Sequence, residues 1–416
     1  MTLYFNYNPY FVQIMSKILQ INSTLNWGST GRIAEEIGLK VIEKGGESYI
    51  AYGRYANHTQ SKSIKIGNKW DIYYHVLITR LFDKHGTASR NATKKLIEQI
   101  EYIKPDIIHL HNIHGYYISF PVLFEYLAST TIPIIWTLHD CWAFTGHCSH
   151  YTFCKCYKWQ KQCSVCPQIN KYPMSLGLDR SEFNYIEKKK YFCSLKNLII
   201  VPVSDWLSQE VSKSFLNKYP IKRIYNGIDI QKFSPLSITS DELNQSKEFV
   251  ILGVSNIWNS RKGLSDFKIL RDKLSANYKI ILIGLSDKQI KELPKGITGI
   301  KRTNSFEELI KYYSTADVYI NFSVEETFGL TTCEAIACGT PAIVYNTTAC
   351  PEILDKNTGF IVEPGDFEGV IKAINDIREK GKNKYIKACR DRAVLLFNKE
   401  DRYAEYIQLY EKLIKK

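Results

Sequence analysis

The chain has 416 residues, 44% of them hydrophobic and 23% charged, with a formal net charge of +13. That length is too great for one ordinary core and predicts two domains, and nothing in the composition marks a low-complexity or disordered tract. No apolar run approaches the roughly 20 residues that would span a bilayer. The basic excess is scattered, densest at Lys188, Lys189 and Lys190. It reads either as a solvated basic surface or as attraction to an anionic membrane.

The first stretch, MTLYFNYNPYFVQIM, lacks a charged leader and a clean apolar core. It is therefore not expected to be a signal peptide, and residues 1–14 read as an extension or a mistaken start. A cytoplasmic chain with reduced cysteines follows as the expectation. Strand-like runs begin with KILQIN and continue through SYIAYG, DIIHLHN, PIIWTLHD, LIIVPVS and IKRIYNG. After the polar stretch SPLSITSDELNQSK come FVILGVS, YKIILIG, DVYINFS, AIVYN and GFIVEPG. Runs apolar on both faces predict buried parallel strands. Amphipathic segments such as TGRIAEEIGLKVIEKG and SFEELIKYYSTA lie between them and predict crossover helices. The fold class expected is α/β, with two parallel-sheet domains. They would span residues 1–228 and 229–398, with the boundary in Asn226–Phe233. Residues 141–168 read as a Cys-rich insertion, and 399–416 as an amphipathic helix returning toward the first domain.

Polar residues collect where these strands end: Asn22, Ser23, His109, His111, His139, Asp140, Ser255, Asn256, Glu325 and Glu326. Ligands of open α/β sheets bind outside the carboxyl ends of the strands. In NFSVEETFGLTTCEAIACGTP, Leu330 to Cys338 can form a helix closed by Gly339 and Pro341. Its N-terminus offers unpaired N–H groups to a phosphate. Glu326 precedes it and Glu334 lies two turns in, so two hydroxyl-accepting carboxylates flank one anion pocket. That combination suits a nucleotide sugar.

Glu326 and Glu334, eight positions apart within EETFGLTTCEAIACGTP, resemble the paired-glutamate motif of the retaining glycosyltransferases of family 4. That family has two Rossmann-like domains facing a central cleft (GT-B). The resemblance extends from about Lys17 to Lys415 and implies transfer of a sugar, with retained configuration, from a UDP- or GDP-sugar to an acceptor hydroxyl. It implies that Glu326 approaches the donor sugar, that Glu334 holds the ribose, and that backbone N–H groups around Phe328, Gly329 and Leu330 meet the diphosphate. In GVSNIWNSRKGL, Lys262-Gly263 matches the family's Lys-Gly, whereas Ser255-Asn256 stands where the family has Gly-Arg, and Arg261 is the candidate to supply that charge. His139 in WTLHDCW resembles the family's sugar-side histidine, and Gly28 and Gly31 in NSTLNWGSTGR its phosphate-approaching loop. His109 and His111 line the acceptor side or belong to the core. Catalysis is thus expected to rest on His139, Glu326 and Lys262. No Asp-x-Asp triplet occurs, and no cofactor is expected for catalysis.

By analogy the acceptor is a glycan or lipid-linked glycan of bacterial capsule, exopolysaccharide or lipopolysaccharide synthesis, met through peripheral contact at the inner membrane face. No nucleic-acid partner is expected. Two rival readings are a sugar-nucleotide epimerase on the same fold and a nucleic-acid-binding protein with a cysteine module. That module, Cys148, Cys154, Cys156, Cys163 and Cys166 within 19 positions, has a CxxC at its end. It reads as a structural zinc site on Cys148, Cys154, Cys163 and Cys166, as unligated thiols, or as disulfides formed later.

Overall fold

The computed structural model describes residues 16–236 and 248–415. The extension 1–14 and most of the polar linker therefore lie outside the described residues. Among those residues the strands form two six-stranded sheets. The first comprises β1 (Lys17–Asn22), β2 (Glu47–Tyr52), β3 (Lys62–Lys65), β4 (Ile107–Leu110), β5 (Ile134–Leu138) and β6 (Leu198–Pro202), in the order β3-β2-β1-β4-β5-β6. The second comprises β7 (Phe249–Val254), β8 (Tyr278–Ile283), β9 (Ile297–Ile300), β10 (Val318–Asn321), β11 (Ala342–Tyr345) and β12 (Gly359–Val362), in the order β12-β11-β10-β7-β8-β9. Counted from its own first strand, each sheet has the 3-2-1-4-5-6 order of a dinucleotide-binding fold. The pairing of β7 with β8 and β10, and of β1 with β2 and β4, is parallel.

The central strands explain why the pattern was legible. All residues of β4, β5, β10 and β11 are buried, as strands covered on both faces must be. The edge strands β3 and β9 bury none and one of their four residues and are polar or glycine-bearing, so their sequences give no such signal. The run IKRIYNG, expected to be a strand, is not one. It makes a single bridge, Ile200 to Ile221, because it lies past β6 at the sheet edge and carries Lys222 and Arg223.

The chain divides into two compact units. One holds the residues up to Thr137 with Ser194–Ile199 and the residues from Tyr406 onward; the other holds Leu138–Cys193 and Ile200–Glu405. In the first, His109 and His111 are core residues. His109 Nδ1 is 2.6 Å from Tyr410 Oη and its Nε2 is 2.7 Å from Thr137 Oγ1. Its ring stacks on Tyr406, and His111 Nε2 lies 2.9 Å from Gln20 Oε1. Tyr406 and Tyr410 belong to the helix Lys399–Ile414.

Candidate active site

In a 3-2-1-4-5-6 sheet, the chain leaves strands 1 and 4 in opposite directions and opens a crevice at their carboxyl ends. In the second sheet those strands are β7 and β10. The loop after β7 carries Ser255 to Gly263, and the loop after β10 carries Phe322 to Gly329. A single 3-10 turn, Ser260–Lys262, is capped by Asn259, whose side chain accepts the Lys262 N–H. Gly263 has φ +75°, and a Cβ there would stand 2.3 Å from the Phe322 Cβ. Only glycine permits this approach. The two loops are then tied by Val324 N–H donating to the Arg261 carbonyl at 3.0 Å.

That juncture brings two predicted residues together. Lys262 Nζ lies 2.5 Å from Glu326 Oε1, and both side chains are about four-fifths buried. Glu326 is held from its backbone as well, its N–H donating to Thr348 Oγ1 at 2.9 Å and its carbonyl accepting from Ala349 N–H at 3.2 Å. Beside them Arg261 Nε is 3.9 Å from Glu325 Oε2. Arg261 Nη1 is buried without a hydrogen-bond partner. A guanidinium nitrogen so placed costs stability unless an anion meets it.

The helix Leu330–Ala337 starts at Gly329, whose φ of +107° is left-handed, and no side chain caps it. Thr332 N–H and Cys333 N–H donate to the Gly329 carbonyl at 3.0 and 3.2 Å, so the N–H groups of Leu330 and Thr331 are the ones without an intrahelical acceptor, and the helix dipole favours an anion there. Phe328 anchors the entry. It is buried, with its ring 5.7 Å from those of Tyr225 and Phe397. Burying such a ring stabilises by about 2–3 kcal/mol. Glu334, partly exposed on this helix, accepts a 2.9 Å hydrogen bond from Tyr313. Burial, reinforced by that carboxylate, pushes the Tyr313 phenol up, so it stays a donor.

His139 follows β5 and stands beside the same loop, its carbonyl accepting from Thr327 Oγ1 at 2.8 Å. Asn256 is exposed on the loop after β7. Gly28 and Gly31 belong to the first unit, at the start of the helix Gly28–Glu43. Gly28 has φ +67°, and a Cβ on Gly31 would press on Thr24 Oγ1 at 2.7 Å.

The cysteine-rich segment is arranged differently from the expected zinc set. Cys148, Cys156, Cys163 and Cys166 line a cavity of about 10 Å3 with His147 and Trp159. Cys154 turns to the Tyr151 carbonyl instead. Gly146 N–H donates to Cys163 Sγ at 3.2 Å. The neighbouring Cys148 thiol lowers the Cys166 pKa to about 7, while Cys166 and burial raise that of Cys148. All eleven cysteines are free, and among the described residues no group of three or more His, Cys, Asp or Glu side chains is placed to hold a metal ion.

Glu325, which the sequence placed at a strand end without a role of its own, ties two segments together. It is buried, and its Oε1 accepts from Thr152 Oγ1 at 2.6 Å and Phe153 N–H at 3.0 Å. It thereby joins the cysteine-rich segment to the loop carrying Glu326. The only signal in the sequence is the tandem Glu325-Glu326.

Two family models match consecutive parts of the chain, Glycosyltransferase Family 4 over residues 31–232 and Glycosyl transferases group 1 over residues 248–380. Together with the two sheets they define the class: the chain is a glycosyltransferase with the GT-B fold. Among its relatives is the Escherichia coli K12 protein WcaC, named as a colanic acid biosynthesis glycosyl transferase. It is 24% identical over 362 residues, covering 82% of this chain and 86% of WcaC. Among solved structures, the sucrose-phosphate synthase of Thermosynechococcus elongatus aligns with a TM-score of 0.71 and 18% identity, covering 96% of this chain and 99% of its own. HepE of Anabaena in complex with UDP aligns with a TM-score of 0.66 and 14% identity, covering 96% and 100%.

Proposed function

We propose that the chain is a retaining, family 4 hexosyltransferase that takes a sugar from a UDP- or GDP-sugar and adds it to a hydroxyl of a growing bacterial glycan. The observation that carries this reading is the Lys262–Glu326 pair at the start of the helix Leu330–Ala337, with Glu334 two turns along. A donor diphosphate fits the helix N-terminus and the two adjacent cations. On its arrival Lys262 exchanges the Glu326 carboxylate for the phosphate, and Glu326 is released to accept a sugar hydroxyl. Charge grows on the departing diphosphate as the glycosidic bond breaks, so a lysine already aimed there stabilises the transition state more than the ground state. Glu334 accepts from the ribose, and His139, beside Thr327, reaches the sugar. The acceptor class comes from WcaC, named for colanic acid biosynthesis, and the uridine alternative gains from HepE, whose structure holds UDP.

With no evident enzyme nucleophile at the sugar, we assign front-face displacement. Retention is testable without knowing the acceptor, because water slowly replaces it. Proton NMR during slow hydrolysis of an α-configured donor should show the α-sugar first, before mutarotation. The β-anomer appearing first would refute retention, and release of an altered sugar would favour the epimerase.

A further inference from the structure

The helix Lys69–Phe82, in the first unit, is inverted with respect to water. It buries only His75 and Thr79, which share one face a turn apart. That face is polar and satisfied. His75 Nε2 accepts the Gly86 N–H at 3.0 Å, His75 Nδ1 lies 2.8 Å from Ser89 Oγ, and Thr79 Oγ1 donates to the His75 carbonyl. The apolar residues are the ones left outside. Trp70 is 80% exposed, Tyr73 63% and Tyr74 58%, and Leu77, Leu81 and Phe82 are exposed as well. Positions 70, 73, 74, 77 and 81 repeat at helical spacing and make one stripe. At about 200 Å2 for each large side chain, the uncovered area is on the order of 600 Å2, the size of a functional patch rather than of scattered surface residues.

The chemistry of the stripe selects its occupant. Trp and Tyr carry an apolar body and a polar edge, the combination favoured at the level of lipid headgroups. Exposed cations border it, with Lys69 at the first turn and Lys84 just beyond its end. The one acid of the helix, Asp71, is turned back to accept the Asn68 N–H in a capping box. Asp83, which closes the helix, is buried. The accessible charge is therefore basic, on a chain of net charge +13. A second copy meeting this stripe about a two-fold axis would bring like charges together, whereas an anionic bilayer complements them. Among the described residues no helix is long and apolar enough to cross a membrane. At 1.5 Å per residue this one is roughly 21 Å long and suits a position flat in the interface.

We propose that the helix Lys69–Phe82 is a docking surface for anionic phospholipid, with Trp70, Tyr73, Tyr74, Leu77 and Leu81 entering the headgroup layer. The proposal does not rest on the donor reading, since vesicle binding needs no nucleotide sugar. The test is co-sedimentation of the full chain with vesicles of phosphatidylcholine alone or mixed with phosphatidylglycerol. Binding is expected to the anionic vesicles only, to weaken as salt rises, and to fall at least 10-fold in Trp70→Ser Tyr73→Ser Leu77→Ser. Because these side chains are exposed, that variant should keep the wild-type melting temperature. The charge variant Lys69→Glu Lys84→Glu, which leaves the stripe intact, should also lose binding to anionic vesicles. No binding to either vesicle would overturn the proposal, as would undiminished binding by both variants. A dimer in light scattering that the triple variant converts to a monomer would instead give the face to a second copy.

Discussion

Lys262 and Glu326 stand as an ion pair, and their separate roles can be pulled apart by mutation. Lys262→Ala should lower turnover by roughly 100-fold or more, the scale of losing one charge-stabilising donor aimed at a transition state. Initial rates on the folded variant decide it; near-normal rates would remove Lys262 from the mechanism. The carboxylates should differ in what they bind. Glu334→Ala should weaken nucleoside diphosphate and nucleotide sugar alike, since both contain the ribose. Glu326→Ala should weaken the nucleotide sugar and spare the free diphosphate. Calorimetry with both ligands separates the two, and equal losses across both variants would undo the assignment. Glu326 and Glu334 were legible in the sequence because their relation is local, one loop and two turns of one helix. Glu325 was not. Its partners Thr152 and Phe153 lie 173 and 172 residues away in the chain. Tyr313, which orients Glu334, was hidden for a like reason: it sits on the separate helix Phe306–Thr315.

At the scale of an element, the helix Lys69–Phe82 has a pH-dependent attachment. Burial lowers the pKa of His75 to about 3 from 6.5, so the folded chain keeps the ring neutral. The unfolded chain takes up the proton as pH falls through about 6.5. Stability is therefore full above that value and declines below it, by about 1.4 kcal/mol per pH unit, until the folded group titrates. Between pH 7 and pH 5 the loss from this residue should be about 2 kcal/mol. His75→Gln retains an acceptor for the Gly86 N–H and should flatten the pH dependence by that amount. Urea unfolding of both proteins at the two pH values measures it, and parallel pH dependences would contradict the assignment. The sequence did not single out this helix, because its apolar stripe looks the same whether it faces a core or the outside. Only the burial of His75 and Thr79 in its place tells which.

At the scale of the molecule, the alternation of apolar runs and amphipathic segments revealed two parallel sheets, since double-sided burial leaves Ile- and Val-rich strands such as β4 and β11. The edge strands β3 and β9 did not show, since they bury none and one of their four residues respectively. The cysteine crowding was visible, but which thiols converge was not: Cys156 lines the cavity while Cys154 faces the Tyr151 carbonyl. The two are separated by Lys155, whose φ of +52° turns the chain between them. The central claim, a nucleotide-diphosphate site built on Lys262 and the helix Leu330–Ala337, is tested most directly by thermal shift with UDP and GDP on the wild-type chain and Lys262→Ala. A ligand at 100 times its dissociation constant adds about 2.7 kcal/mol to the stability of what it binds. The account predicts that one of the two nucleotides raises the wild-type melting temperature and that the rise shrinks or disappears in Lys262→Ala. A wild-type chain unmoved by either, or a variant that keeps the full rise, would contradict it.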